Sequence, residues 1–266
     1  MLINLIKYEF LKRWKSSRLL LLGYFLIQAL LIAISSAFFW NDNMPKVFTD
    51  LSNNGQGIGV WAGISMAAYF LLSILIILFP FAESIFRFNR DLSGKQSALE
   101  LMIPAISWKK VLSKLVPVLC NTILCVGLGA ASIITFMLIS SNFEKSVVDE
   151  IVNFLNTVFQ SPTQIILDSL YLVFCFSTMY LIAFFSIALA KSLSHKNKIA
   201  APIGIVTFVA ILAALAFLGT LMQNIPLIQF TVVGTEDSLS AMILTLLMFA
   251  GALFGTSWLM ENKIDH

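Results

Sequence analysis

KRWKSSRLLLLGYFLIQALLIAISSAFF, residues 12–39, decides the fold class. Lys12, Arg13, Lys15 and Arg18 stand ahead of an apolar run, Leu19 to Phe39, that holds no charge. A helix rises about 1.5 Å per residue and the hydrocarbon core of a bilayer is about 30 Å thick, so about 20 such residues cross it once. A secretory signal has the same basic lead, but its apolar core is about 7 to 15 residues long and ends at a small-residue cleavage site. This run is longer and has no convincing site of that kind, so it reads as a retained membrane anchor.

Five more apolar runs follow: Ile58 to Ala82, Leu115 to Ser140, Ile165 to Ala190, Ile199 to Met222 and Leu239 to Met260. Across the 266 residues 59% are hydrophobic and 12% charged. A soluble domain carries about a quarter charged residues, so there is too little charge here to coat a water-facing surface. The expected fold is all-α, a single polytopic domain of six transmembrane helices. Its net charge of +3 points to neither a nucleic acid nor an acidic ligand.

Orientation follows from the basic residues, which resist translocation where acidic ones matter little. Of the 17 Lys and Arg, all but Lys46 and Lys145 fall on one side of the six crossings. The sparse side carries acids instead, among them Asp42, Asp50, Glu144, Asp149 and Glu150. The N-terminus, the segments between spans two and three and between spans four and five, and the C-terminus are therefore expected in the cytoplasm, in a multi-pass protein of the cell membrane.

The connecting segments have their own patterns. Ile3, Ile6, Phe10 and Trp14 share one helical face ahead of span one, which predicts a helix in the membrane interface; a plain basic tail is the simpler reading. Between spans two and three, Ser97, Ala98, Leu99, Glu100, Leu101 and Met102 precede Pro104, which ends any helix there. Ser107 then caps a new helix through Trp108, Lys109 and Lys110 into span three. A solvated loop has no need of Leu99, Leu101 and Met102, so this short cytoplasmic helix is expected to dock a soluble partner. Outside, Val147, Ile151, Phe154, Leu155 and Val158 form a stripe that predicts a second interfacial helix, ended by Ser161 and Pro162. Pro226, Leu227, Ile228 and Phe230 lie in a stretch too apolar for an exposed loop and too short to cross, and read as a partly re-entrant element.

Several chemistries find no residues. A phosphate loop ends in Gly-Lys-Ser or Gly-Lys-Thr, whereas Gly94-Lys95-Gln96 does not. No span has a carboxylate or histidine at its centre, as ion-driven carriers commonly do. Glu83, at the cytoplasmic end of span two, reads either as a functional intramembrane acid or as a boundary residue paired with Arg87 one turn on. Gln28, Asn121, Thr122, Ser132, Thr135, Ser177 and Thr178 read as interhelical glue. Cys120, Cys125 and Cys175 lie within apolar runs and read as small hydrophobes, and with His195 and His266 they do not assemble a metal set. No catalytic, cofactor-binding or metal-binding residue is expected.

The opening Leu5-Ile6-Lys7-Tyr8-Glu9-Phe10, the basic patch before span one, and the segment Asp91 to Lys114, with Leu-Glu-Leu-Met-Ile-Pro, Ile-Ser-Trp and the lysines after them, resemble type-2 ABC exporter permeases over nearly the whole chain. The resemblance implies a transmembrane subunit without ATPase activity of its own. It implies a homodimer, or a heterodimer with a related permease, bound to two copies of a separate ATP-binding subunit that holds the ATP and magnesium. It makes Ser97 to Met102 the coupling helix seated in that ATPase, assigns an interfacial helix to the N-terminus and a re-entrant element to Pro226–Val233, and relates Glu83 to an acid common near the end of span two. A non-transporting scaffold, or an immunity or signalling component using the same cytoplasmic surface, is the alternative.

Overall fold

The computed structural model describes residues 2–41, 57–93, 106–140, 145–160, 162–193, 197–223, 229–232 and 235–264. Helices α1 (Leu2–Asn41), α2 (Gly57–Ser93), α3 (Ser107–Ser140), α4 (Lys145–Gln160), α5 (Pro162–Leu193) and α6 (Asn197–Gln223) come first. Strands β1 (Gln229–Val232) and β2 (Thr235–Ser238), helix α7 (Leu239–Leu259) and a π-helical turn, Met260–Ile264, complete the order. Among the described residues five stretches are long and apolar enough to cross a membrane: Ala67–Leu92, Ser107–Ile139, Ile165–Leu193, Ala200–Leu221 and Met242–Asn262. They correspond to the second to sixth runs of the sequence. Among the described residues of α1 the apolar stretch is Leu21–Ile34, which lies within the longer uncharged run Leu19 to Phe39 of the sequence.

The surface has the inverse of a soluble protein's distribution. Leu26, Leu71, Ile205, Val206, Phe217 and Leu247 are exposed, while Gln28, Ser73, Thr122, Ser177 and Thr256 are buried. Apolar side chains turned outward with polar ones turned in suit lipid as the solvent. The chain is a multi-pass helical membrane protein.

Three features differ from the sequence expectation. The basic N-terminal segment and the first apolar run form one unbroken helix of 40 residues, not two elements. No proline interrupts it, and its Lys, Arg, Leu and Trp residues all tolerate helix. Helix α2 continues past Ala82 to Ser93, whereas α3 begins at Ser107, ahead of Leu115, as the cap reading of Ser107 expects. These extensions add about 16 Å and about 12 Å of helix beyond the apolar runs. The third is a hairpin, the departure from an all-helical fold. β1 pairs antiparallel with β2, Phe230 opposite Asp237 and Val232 opposite Thr235. Phe230, Thr231 and Val232 are strand formers, and Gly234 lies in the sequence between the two strands, a hairpin signal. Helix α4 spans Lys145–Gln160, where the outer interfacial helix is expected.

The chain forms two compact units. One consists of Met1–Phe10, Phe81–Leu119 and Pro162–His266. Helix α5 is its centre: the consecutive Tyr180, Leu181, Ile182, Ala183 and Phe184 are all buried, which means every side of the helix is covered. It packs against α6 and α7. Phe88 of α2 stacks on Phe184 with ring centroids 4.3 Å apart, and Phe81 lies between Tyr180 and Phe208 at 5.4 and 5.9 Å.

The other unit consists of Leu11–Pro80 and Cys120–Ser161. Leu21, Tyr24, Ile76 and Cys125 form its core, with Ile77 and Leu128 against them. A polar thread joins α1, α2 and α3 there. Gln28 Nε2 donates to Tyr24 Oη at 2.6 Å and to Ser73 Oγ at 3.1 Å. Tyr69 Oη lies 2.8 Å from Ser132 Oγ, and its ring stacks on Phe136 at 4.3 Å. Gln28 and Ser132 thus act between helices. Thr135, Ser177 and Thr178 instead donate to carbonyls one turn back on their own helices, a bond that satisfies the hydroxyl without joining anything.

Candidate functional site

The functional candidate lies in the first unit, where the charges collect. Glu9 in the third turn of α1, Asp91 in the last turn of α2 and Lys114 near the start of α3 converge. Lys114 Nζ donates to Asp91 Oδ2 and, at 3.4 Å, to Glu9 Oε1. The three residues are 6%, 5% and 6% exposed. Leu5, Tyr8, Phe88, Leu92, Lys110, Ser113 and Met260 complete the walls of a small cleft around them, about 50 Å³ in volume.

Helix phase brings these side chains inward. Along α1 the buried residues are Glu9, Arg13, Ser17, Leu21, Tyr24 and Gln28, one stripe at three- and four-residue spacing, and the stripe carries polar and charged groups that would be costly in lipid. Ile3, Phe10 and Trp14, the expected interfacial face, point outward, and Ile6 is half-buried. Facing that way, they suit lipid.

Two further contacts fix this end of the unit. The Ser107 amide donates to Glu261 Oε1 at 3.3 Å. A carboxylate at the first turn of a helix satisfies an orphan donor and meets the positive end of the helix dipole. The Lys109 amide also donates to the Ile106 carbonyl at 2.9 Å, closing the turn where α3 starts. Beneath them Arg87 grips Glu83 one turn away, at 2.7 and 2.8 Å. Of the two readings of Glu83, the geometry displays the paired one.

The arrangement joins the start of α1, the end of α2, the start of α3 and the turn after α7 at one end of the unit. These are the lysine- and arginine-rich ends by sequence. Chemically the cleft is a lock: one ammonium, that of Lys114, shared by two carboxylates, in walls that mix apolar side chains with Lys110 and Ser113. Two buried acids with Lys114 removed would face each other across a medium that screens poorly.

Other residues that the sequence singles out are placed less fully. Ser97, Ala98, Leu99, Glu100, Leu101 and Met102 lie outside the described residues, as do Pro226, Leu227 and Ile228. Phe230 belongs to β1. Among the described residues no third strand pairs with the hairpin, so any re-entry would need water or protein against its outer edges. Among the described residues no group of three His, Cys, Asp or Glu could hold a metal. No disulfide joins the cysteines; Cys125 is buried as expected, while Cys120 is exposed.

Sequence reasoning does not single out Glu9, Asp91 or Lys114. The signal is present: Glu9 is the one acid ahead of Asp42, set among Lys7, Lys12 and Arg13, and Asp91 follows Arg87 and Arg90. In comparisons with known proteins, no protein-family model, curated protein or solved structure matches this chain.

Proposed function

We propose that this chain is the membrane permease subunit of an ATP-binding-cassette exporter, crossing the cell membrane six times with both termini in the cytoplasm. It contributes the path for the cargo and leaves ATP hydrolysis to a separate subunit. It pairs with a second permease chain, and two ATPase copies dock beneath the pair. The observation that carries this reading is the pairing of Asp91 with Lys114. It ties the end of α2 to the start of α3 across the root of the segment that holds Ser97 to Met102, and Glu9 extends the tie to α1. A push on that segment reaches three helices together, which is what a coupling element requires. The even number of crossings is supported by the start of α1 and the turn after α7 meeting at one end. At 40 residues, α1 is about 60 Å long, ample for one crossing plus a cytoplasmic projection.

The test is a Leu99→Asp, Leu101→Asp double variant expressed in native membranes. The expected result is normal insertion with loss of the copurifying ATPase and of its stimulation. Retention of an ATPase at wild-type level would overturn the coupling role. Copurification of a partner that hydrolyses no ATP would favour the scaffold.

A further inference from the structure

A second cavity lies in the same unit, between α2, α5 and α6, and it is unlike the charged cleft. Its volume is about 240 Å³, larger than the ~150 Å³ apolar cavity that accepts a benzene ring. Its walls are almost wholly apolar, with Phe86, Ile205 and Phe208 standing above Ala183, Ala190 and Ala201. Small side chains bring α5 and α6 close at its floor: a Cβ on Gly204 would lie 3.6 Å from the Ala190 Cβ.

The groove has a polarity along its length. From Ala183 to Lys191 on α5 it runs about 12 Å, most of the ~15 Å hydrocarbon depth of one leaflet. Its deep end is apolar, at Ala183 and Phe208, while the end at the last turn of α5 presents Lys191 and Asn89. Lys191 is 9% exposed. Phe86 and Ile205 at the rim are exposed, which leaves the groove open sideways, toward the surface that suits lipid.

We infer that this groove is a binding site for one acyl chain of an acidic phospholipid, with the headgroup phosphate held at Lys191. An alkyl chain fits a narrow, apolar, laterally open slot, and a cation at the headgroup end and not at the deep end selects for an anionic lipid over a zwitterionic one. A lysine near an anionic membrane surface contributes about fivefold in affinity. A soluble ligand would have no reason to enter from the lipid-facing side, and a second copy of the chain would present helix, which is too wide for a slot floored by Ala190 and Gly204. The inference does not depend on the export reading.

The test is native mass spectrometry of the purified full-length chain, titrated with phosphatidylglycerol and with phosphatidylcholine of the same chain length. The wild type is expected to hold phosphatidylglycerol about fivefold more tightly. Lys191→Gln should erase that preference and leave phosphatidylcholine binding unchanged, whereas Lys191→Arg should keep it. Ala201→Trp, at an exposed position on the groove wall, should displace both lipids. Equal affinity of the wild type for the two lipids would overturn the inference, and so would a preference that survives Lys191→Gln. If Ala201→Trp does not fold, the two lysine variants still decide the outcome.

Discussion

Phe185 of α5 occupies the space that a side chain on Gly255 of α7 would need. A Cβ built on Gly255 would lie 2.7 Å from the Phe185 Cε2 and 3.1 Å from its Cδ2. Helix α7 meets the central helix here, and the absence of a side chain on α7 lets the ring lie against its backbone.

Gly255→Ala is therefore expected to force the ring aside and destabilise the protein by about 1–3 kcal/mol, the usual cost of overpacking. Gly251, one turn earlier, has nothing within 4 Å of its Cβ position, and Gly251→Ala should be neutral or stabilising by up to about 1 kcal/mol through helix propensity. Thermal unfolding in detergent compares the two. Adding Phe185→Leu to Gly255→Ala should recover part of the loss; no recovery would mean that the ring is not the obstacle.

Lys114→Ala leaves Glu9 and Asp91 buried without the ammonium they share. Breaking a buried ion pair on one side costs about 3–5 kcal/mol. The triple variant Glu9→Gln, Asp91→Asn, Lys114→Met removes every charge of the lock and should be closer to the wild type than Lys114→Ala alone. Melting temperature and detergent-extracted yield measure both. A Lys114→Ala protein as stable as the wild type would contradict the buried lock.

The polar thread between α1, α2 and α3 should contribute modestly. Tyr69→Phe removes the hydroxyl that meets Ser132 but keeps the ring on Phe136, and hydrogen bonds between membrane helices average about 0.6 kcal/mol. Tyr69→Leu also removes the stacking, worth about 0.5–1.5 kcal/mol more. Chemical unfolding of the two variants in mixed micelles should rank them in that order. Equal losses in the two variants would place the stabilisation in the hydroxyl.

The proposed six-crossing topology makes a labelling prediction. With Cys120, Cys125 and Cys175 replaced by serine, Lys145→Cys should react with a membrane-impermeant maleimide in intact cells, and Leu99→Cys only after lysis. Labelling of position 99 from outside would invert the orientation and remove the docking segment from the ATPase side.

Much of the helical layout is legible in the sequence. The second to sixth runs return as helices that can cross, α4 falls where its apolar stripe places it, and Ser107 begins α3 as a cap residue should. The hairpin before α7 escapes that reading because Phe230, Thr231 and Val232 are weighed there by apolarity, which they share with membrane segments, and not by their preference for strand. The continuation of α2 to Ser93 escapes it because the last turns are charged; Phe88 and Asp91 hold them by burial, and apolarity along the chain does not report burial.

By itself, the sequence determined the solvent and the apolar runs able to cross it, since transfer into lipid depends on how many consecutive residues lack charge, a property of the chain read in order. Only the tertiary structure decided which face of each helix turns inward. Lipid tails are as apolar as leucine, so a crossing helix need not be polar on one side and apolar on the other, and its rotation leaves little trace in the pattern. Glu9, Asp91 and Lys114 meet because three helices pack at a particular phase, as do Gly255 and Phe185; neither meeting follows from spacing along the chain.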